Sequence, residues 1–210
     1  MLLEDMAEAA NQECPILDKV YEDQTVVGIS GKKVEFDTVK FVRCRMEECD
    51  FSGASFCNVV LTSVDFSNCS FRDTYWKNVN VSDSKGDGSQ FCNSTFKWVK
   101  LLDSQFHYGN FFTAFWEFGE IRGCNFRESF MSEVKFKKTV FSSTDLAGTD
   151  FFRTPLKGMD LSECVIDGIM VSDQFTELAG VKVSLLQAAE LARLMGVKNC
   201  VNGLYNINYI

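Results

Sequence analysis

Large apolar side chains recur at every fifth position of this chain from Phe36 to Val171, with Gly86 as the one exception. A small or β-branched side chain usually stands two residues earlier, as Cys49 does before Phe51. A period of five matches neither the 3.6-residue period of a helix nor the two-residue alternation of a flat strand. The pattern is therefore an internal repeat, and such a repeat decides the architecture before any other feature.

The repeating unit reads small, polar, large, polar, polar. Alternation along an extended backbone places the small and the large side chain on one side, and the last two polar residues can turn a corner. Four units then close a square coil of twenty residues, and successive coils stack about 4.8 Å apart. Residues 36–171 predict an all-β solenoid of about seven coils, roughly 33 Å long. Its core ladder includes Phe36, Phe56, Phe66, Phe96, Phe126 and Phe136.

A helix is predicted after the repeat, because Ser184 and Gln187 have the spacing of a capping box and Gly196 supplies a stop. This helix is apolar nearly all round, so more than one of its sides should be buried. One side can cap the last coil, and the other is predicted to pair with a second copy of the chain. The alternative is burial by the chain's own tail. The predicted dimerisation residues are Leu185, Leu186, Ala189, Leu191, Ala192, Leu194 and Met195.

Three segments follow from this division: an N-terminal cap at 1–30, the β-helix at 31–175 and a dimerisation segment at 176–210. A short helix is predicted near the N-terminus from Leu2, Leu3, Met6, Ala9 and Ala10. Near the other end, Asn202-Gly203 is typical of a tight hairpin. The apolar tail around it is expected to join the dimer seam or to lie on the rod.

Composition narrows the function classes. The net charge is −8 and the pI about 4.8, which disfavours direct binding of nucleic acid. No apolar run is long enough for a membrane span and the N-terminus lacks a basic leader region, so we expect a cytoplasmic protein. His107 is the only histidine, so neither a catalytic triad nor a histidine metal pair is predicted. We expect no enzyme activity, cofactor or metal.

The nine cysteines are predicted to be reduced thiols, since the number is odd and no leader is evident. Cys57 and Cys92 are expected to face outward. Five others occupy the small inward position as compact apolar fillers: Cys44, Cys49, Cys69, Cys124 and Cys164.

Units such as Cys49-Asp50-Phe51 and Cys124-Asn125-Phe126 resemble those of pentapeptide-repeat proteins. This resemblance implies a right-handed quadrilateral β-helix. The segments Leu178–Val183 and Leu194–Val197, with the lead-in Asp18–Tyr21, are similar to those of the Qnr and MfpA quinolone-resistance group. The resemblance implies homodimeric rods, joined at their C-terminal ends, that bind DNA gyrase and topoisomerase IV as mimics of duplex DNA.

The charge pattern partly agrees with such mimicry. Sorting outward positions by their place in the coil predicts two adjacent acidic faces and one basic face. The residues predicted to meet a topoisomerase are Glu47, Glu48, Asp50, Asp65, Asp87, Glu128, Asp145, Asp150 and Asp167. The basic face carries Lys77, Lys97, Lys135, Lys137, Lys138 and Lys157.

Two features leave alternatives open. The stretch Ser82–Gln90 around Gly86 could be a small bulge or a projecting loop. Outward aromatic residues could form a contact patch or be covered by the N-terminal segment: Tyr75, Trp98, Tyr108, Phe112, Phe115, Phe118, Phe130 and Phe152. The leading hypothesis is a gyrase-protecting DNA mimic, and the alternative is a non-catalytic scaffold with an unrelated partner.

Overall fold

The computed structural model describes residues 1–198. Its elements in chain order are α1 (Leu2–Gln12), β1 (Ile16–Leu17), β2 (Val20–Glu22), β3 (Thr25–Val27), β4 (Glu35–Asp37), β5 (Lys40–Val42), β6 (Arg45–Glu47), β7 (Ser55–Cys57), β8 (Val60–Thr62), β9 (Tyr75–Ser82), β10 (Thr95–Leu102), β11 (Phe115–Glu117), β12 (Glu120–Arg122), β13 (Lys135–Lys137), β14 (Val140–Ser142), a 3-10 helix (Thr176–Leu178) and α2 (Leu185–Leu194). No helix of the described part is both long enough and apolar enough to span a membrane.

The strands form a parallel solenoid in which each residue pairs with the residue twenty positions later. On one face the order is β1-β4-β7-β9-β10-β11-β13, which makes six such steps. Its register begins with Ile16 opposite Phe36. Isolated parallel bridges continue the same spacing on the other faces, for example from Asp145 to Val165. The predicted coil of twenty residues and the pentapeptide-repeat fold are therefore confirmed.

The solenoid starts earlier than the sequence pattern indicated. Ile16, Tyr21 and Val26 are buried in β1, β2 and β3, and these strands pair with β4, β5 and β6. The first coil therefore lies within the segment 1–30 that was assigned to an N-terminal cap. Only α1 precedes it.

Helix α1 covers the edge of this first coil. Its buried residues are Leu2, Met6 and Ala9. A methyl group added at Gly31 would lie 2.7 Å from the Met6 side chain, so Met6 occupies the space that a large residue fills in later coils. The Tyr21 hydroxyl donates to Asp5 at 2.7 Å and ties α1 to the second strand.

The axis of the rod is filled by stacked aromatic rings. Phe36 and Phe56 stack with centroids 5.1 Å apart, and Phe96 and Trp116 stack at 4.0 Å. Of the predicted core ladder, Phe36, Phe56, Phe66, Phe96 and Phe126 are buried. Phe136 differs, because it is only partly buried and packs at the edge of the core.

Gly86 stays in register and forms neither a bulge nor a projecting loop. Lys85 bridges Asp65 on one side and Gln105 on the other, as its counterparts do elsewhere. A Cβ at Gly86 would approach Cε2 of Phe66 to 2.3 Å. The rings of Phe66 and Phe106, whose centroids are 6.1 Å apart, therefore fill the space of the missing side chain.

The regular ladder ends on two faces after β13 and β14. Within residues 1–198, each of these strands pairs only with the strand of the preceding coil. The following segment turns away and bonds to the C-terminal region instead, with Leu156 N donating to Glu177 O and Leu161 N to Lys182 O. The other two faces keep their bridges, from Asp145 and Asp150 to the next coil. In this part of the chain the last full coil is therefore open on two of its four sides.

Helix α2 closes the C-terminal end. Ser184 and Gln187 form both bonds of the predicted capping box. The Gln187 amide also donates to the carbonyl oxygens of Leu161 at 2.8 Å and Cys164 at 2.6 Å. These contacts satisfy carbonyls that the solenoid would otherwise leave without a partner at its end.

Candidate partner-binding surface

The acidic face is the outward side of the segments around Met46, Phe66, Phe106 and Phe126. Among the acids predicted for binding, Glu48, Glu128 and Asp167 are exposed. The other six are partly buried: Glu47, Asp50, Asp65, Asp87, Asp145 and Asp150. The repeat geometry thus places all nine at the surface, on two neighbouring faces and the corner between them.

Several of these carboxylates are neutralised by nearby bases. Asp145 lies 3.1 Å from Arg127, and Asp50 lies 3.0 Å from Lys32. Glu47 pairs with Arg45 at 3.1 Å. Exposed pairs of this kind contribute little stability, yet they reduce the negative charge that a partner would meet.

Four of the predicted residues also hold the coil in shape. In each of them a carboxylate oxygen accepts the backbone N–H two residues later, which stabilises the turn. Asp150 accepts from Phe152 at 2.8 Å and Asp50 from Ser52 at 2.9 Å; Asp65 and Asp145 do the same. Burial would raise the pKa of Asp50, but the hydrogen bonds from Ser52 and the charge of Lys32 outweigh it and keep that pKa low.

Two acids that the sequence analysis did not select strengthen the acidic surface. Asp83 and Asp103 are exposed and lie one coil apart on the corner next to the acidic face. Neither forms an ion pair within residues 1–198. Their spacing of twenty residues is the signal that could have found them, since equivalent corner positions recur once per coil.

The basic face is less positive than its lysine count suggests. Glu117 binds Lys137 and also lies 3.8 Å from Lys97. The Lys137 hydrogen bond lowers the pKa of Glu117. The lysines of this face without an ion pair in the described residues are Lys77, Lys135, Lys138 and Lys157.

The outward aromatic residues divide into two exposed groups. Trp98 and Phe118 stack on one corner, with centroids 5.5 Å apart and planes within 4°, and Lys138 lies 4.8 Å from the Phe118 ring. We call these three residues the aromatic corner. A second group on another face contains Phe112, Phe130 and Phe152.

The N-terminal segment does not cover either group. Helix α1 contacts β1, at the opposite end of the rod. Trp98 keeps 48% of its surface exposed although it has a positive φ of 53°, which is costly for a bulky side chain. Tyr75 and Phe115 are partly buried, and Tyr108 stands apart on a third corner.

The predicted dimerisation residues lie on both sides of α2. Leu191 is buried against the last coil, and Ala189 and Ala192 are partly buried. The remaining members are exposed: Leu185, Leu186, Leu194 and Met195. Leu185 is 87% exposed and Leu186 81% exposed, so an apolar surface stands uncovered at this end of the chain as described.

The inward cysteines are buried among the apolar side chains, where burial raises the pKa of Cys124 to about 11. Cys92 differs from the prediction. It is buried although its position is an outward one, and burial raises the pKa of its thiol. Cys57 is half-buried, and Cys200 lies outside the described residues.

Comparison with known proteins agrees with this architecture. A family model described as pentapeptide repeats matches eight copies within residues 40–75 and 120–158. The coils in these two segments match pentapeptide repeats. No curated protein matches the sequence.

Solved structures share the fold at low sequence identity. Two trypsin-treated variants of QnrB1, a plasmid-mediated fluoroquinolone resistance protein, match with TM-scores of 0.52 and 0.53 and 17% identity. Each match covers 86% of this chain and 99% of the other. Full-length QnrB1 matches with a TM-score of 0.39 and 15% identity, covering 88% of this chain and 100% of the other. At this identity the similarity shows the pentapeptide-repeat β-helix and nothing further.

Proposed function

We propose that this protein is a non-catalytic DNA mimic that binds DNA gyrase or topoisomerase IV and protects it from fluoroquinolones. The observation that carries the proposal is a rigid rod with acidic side chains in register along one side. Such an array offers negative charge at fixed intervals to a basic groove that normally holds duplex DNA. The fold shared with a fluoroquinolone resistance protein supports the same function.

The acidic surface we propose differs in part from the predicted one. Its most available members are Glu48, Asp83 and Asp103, whose side chains are exposed and make no hydrogen bond or ion pair within residues 1–198. Asp65 and Asp145 contribute less freely because they also stabilise turns. The working surface therefore consists of the acidic face and both corners that border it.

The proposed assembly is a homodimer joined through α2, which would place two rods end to end. The exposed leucines of α2 support it, because such a patch on a helix end is typical of an interface. A symmetric dimer would double the length of the acidic surface. We propose the cytoplasm as its location, where both topoisomerases act on DNA.

The test is gyrase supercoiling with purified protein, in the presence and absence of ciprofloxacin. We expect the wild-type protein to restore supercoiling in the presence of the drug. Replacing Glu48, Asp83 and Asp103 together by Lys should weaken protection at least about tenfold, since three charges are reversed at the interface. Circular dichroism melting should be unchanged, because none of the three holds the fold together.

The matched control reverses three lysines on the opposite face. Replacing Lys77, Lys135 and Lys157 by Glu alters the same number of charges on exposed positions that also lack an ion pair. We expect this variant to protect gyrase as the wild type does. Equal protection by the acidic-surface variant, at equal stability, would reject the proposed surface.

A second candidate function is a scaffold that binds an unrelated protein, and the aromatic corner favours it. Trp98 and Phe118 remain exposed at a conformational cost, which is unusual for a surface without a partner. Replacing both by Asn, the residue found at Asn58 and Asn78 on the same corner, keeps the backbone conformation and removes the rings. Absence of gyrase protection by the folded wild-type protein would favour the scaffold, and this variant should then lose binding to the scaffold's partner.

A further inference from the structure

The open side of the last full coil is a strand edge with free hydrogen-bonding groups. In regular coils the N–H of a residue donates to a carbonyl nineteen positions later, as Phe118 does to Lys137. Within residues 1–198, four N–H groups on β13, β14 and their corners make no such bond. They belong to Phe136, Lys138, Phe141 and Ser143.

A proline explains why the next coil does not close this edge. Pro155 stands where the matching residues Lys135 and Thr95 have a backbone N–H, so it cannot donate to the coil before it. The chain then bonds to the C-terminal region and separates from β14. An opening remains, which we call the slot, between β13–β14 and residues 155–163.

The slot is an open cleft beside the core. A cavity of about 370 Å³ lies between Thr139–Phe141 and Gly158–Glu163, and a wider cleft of about 700 Å³ opens at the Pro155 end. Phe136 and Met159, which occupy inward positions, are only partly buried beside it. Inward residues are normally enclosed by the next coil, so their partial exposure here indicates room for a further strand.

Thr139 gives a second sign of a missing partner. Thr139 is 7% exposed. Its hydroxyl is the one buried side-chain oxygen or nitrogen without a hydrogen bond in the described part of the chain. An unpaired buried hydroxyl costs about 1–3 kcal/mol. The occupant must therefore bring polar groups as well as apolar volume, as an extended backbone does.

The sequence after Lys198 has the residue spacing of one further repeat unit. Leu204 and Tyr209 are large residues five positions apart, and Ile207 stands two positions before Tyr209. Between them, Asn206 matches the corner position of Asn58 and Asn78, both of which have positive φ. The segment 199–210 carries no charged residue, so it can be buried at little electrostatic cost.

We propose that residues 203–210 fill the slot of their own chain as a further parallel strand. In this register Leu204 lies next to Phe136, Ile207 next to Thr139 and Tyr209 next to Phe141. All three tail side chains then point inward. The carbonyls of Gly203, Tyr205, Asn208 and Ile210 then accept from the four free N–H groups. The tail completes the last coil, and the inference stands independently of any topoisomerase.

The connection is long enough for this. Gln187 touches the last coil beside the slot, and the eight helical residues from there to Leu194 carry the chain away by about 12 Å. The nine residues 195–203 can span up to about 30 Å when extended. The tail can therefore return to its own slot.

The experiment is amide hydrogen exchange by NMR on the full chain and on a chain ending at Lys198. In the full chain we expect the amides of Phe136, Phe141 and Ser143 to be protected like their counterparts one coil earlier. The shorter chain should exchange these amides at least about tenfold faster, while Phe126 stays protected as an internal reference. A synthetic peptide of residues 203–210 with an amidated end should restore protection to the shorter chain.

A pair of tail variants tests the register. Ile207→Asp places a charge at an inward position and should abolish protection in the full chain. Tyr205→Asp places the same charge at an outward position and should leave protection unchanged. Equal effects of the two, or fast exchange of these amides in the full chain itself, would overturn the proposal.

Two further outcomes would also overturn it. Protection that persists in the chain ending at Lys198, without peptide, would mean that the tail is not the occupant. Protection that is lost on dilution would mean that a second copy supplies the strand, so full-chain exchange is measured at two concentrations a hundredfold apart. Concentration-independent protection supports insertion within one chain.

Discussion

At the scale of single residues, each large inward side chain contributes according to how completely the neighbouring coils enclose it. Phe126 is fully enclosed, with Phe106 stacked on it at 5.0 Å. Phe136 has the same position in the repeat but borders the slot. The repeat therefore specifies the type of residue at each position. How much each side chain contributes to the free energy of unfolding depends on what lies in the next coil.

We expect Phe126→Ala to lower the free energy of unfolding by about 3–5 kcal/mol, as other large-to-small core changes do. Phe136→Ala should cost about half as much in a chain ending at Lys198, because part of its ring is already exposed there. Urea denaturation of both variants in that shorter chain measures the difference. Equal losses would mean that the region around Phe136 is as tightly packed as the rest of the rod.

At Gly86 the opposite kind of change, from a small to a large side chain, should also destabilise the fold, because this position has no room for a side chain. Gly86→Val should destabilise the protein by about 1–3 kcal/mol, since the added carbons collide with the rings of Phe66 and Phe106. Thermal melting followed by circular dichroism measures it, and Phe66→Leu combined with Gly86→Val should recover part of the loss. A neutral or stabilising Gly86→Val would show that the two rings move apart readily.

At the scale of the elements, the sequence predicted what depends on the local pattern and missed what depends on the next coil. The capping box of Ser184 and Gln187 is local, and so is the small-large alternation that buries Cys44 and Phe51. The open ladder after β14 was missed, because it follows from Pro155 together with a change of pairing partner. Pairing partners lie about twenty residues away, so the sequence of one five-residue unit does not indicate which segment it pairs with.

The candidate surface shows the same division. The sequence places an acid such as Asp145 on an outward position, because the repeat fixes which side it faces. It does not say that Arg127, eighteen residues earlier, reaches that carboxylate. Ion pairing between coils depends on side-chain conformations, so the charge available to a partner could be assigned only from the structure.

For α2, we expect replacement of Leu185 and Leu186 by Glu to convert a dimer into a monomer without loss of stability. Both side chains are more than four-fifths exposed, so the fold of one chain does not need them. Sedimentation velocity across a concentration series measures the association. Val27→Glu is the control, since Val27 is also exposed but lies at the other end of the rod. A double variant that stays dimeric would place the interface elsewhere.

At the scale of the whole molecule, binding by a DNA mimic must depend on salt as DNA binding does. A rod that replaces duplex DNA in a basic groove gains affinity from many screened charges, so its dissociation constant should rise steeply between about 50 and 200 mM salt. We expect the variant with Glu48, Asp83 and Asp103 replaced by Lys to bind gyrase more weakly and with a shallower salt dependence. The variant with Lys77, Lys135 and Lys157 replaced by Glu should keep the wild-type slope. Titration calorimetry against gyrase at three salt concentrations separates binding through the acidic surface from binding through the aromatic corner, because the latter would be nearly independent of salt in all three proteins.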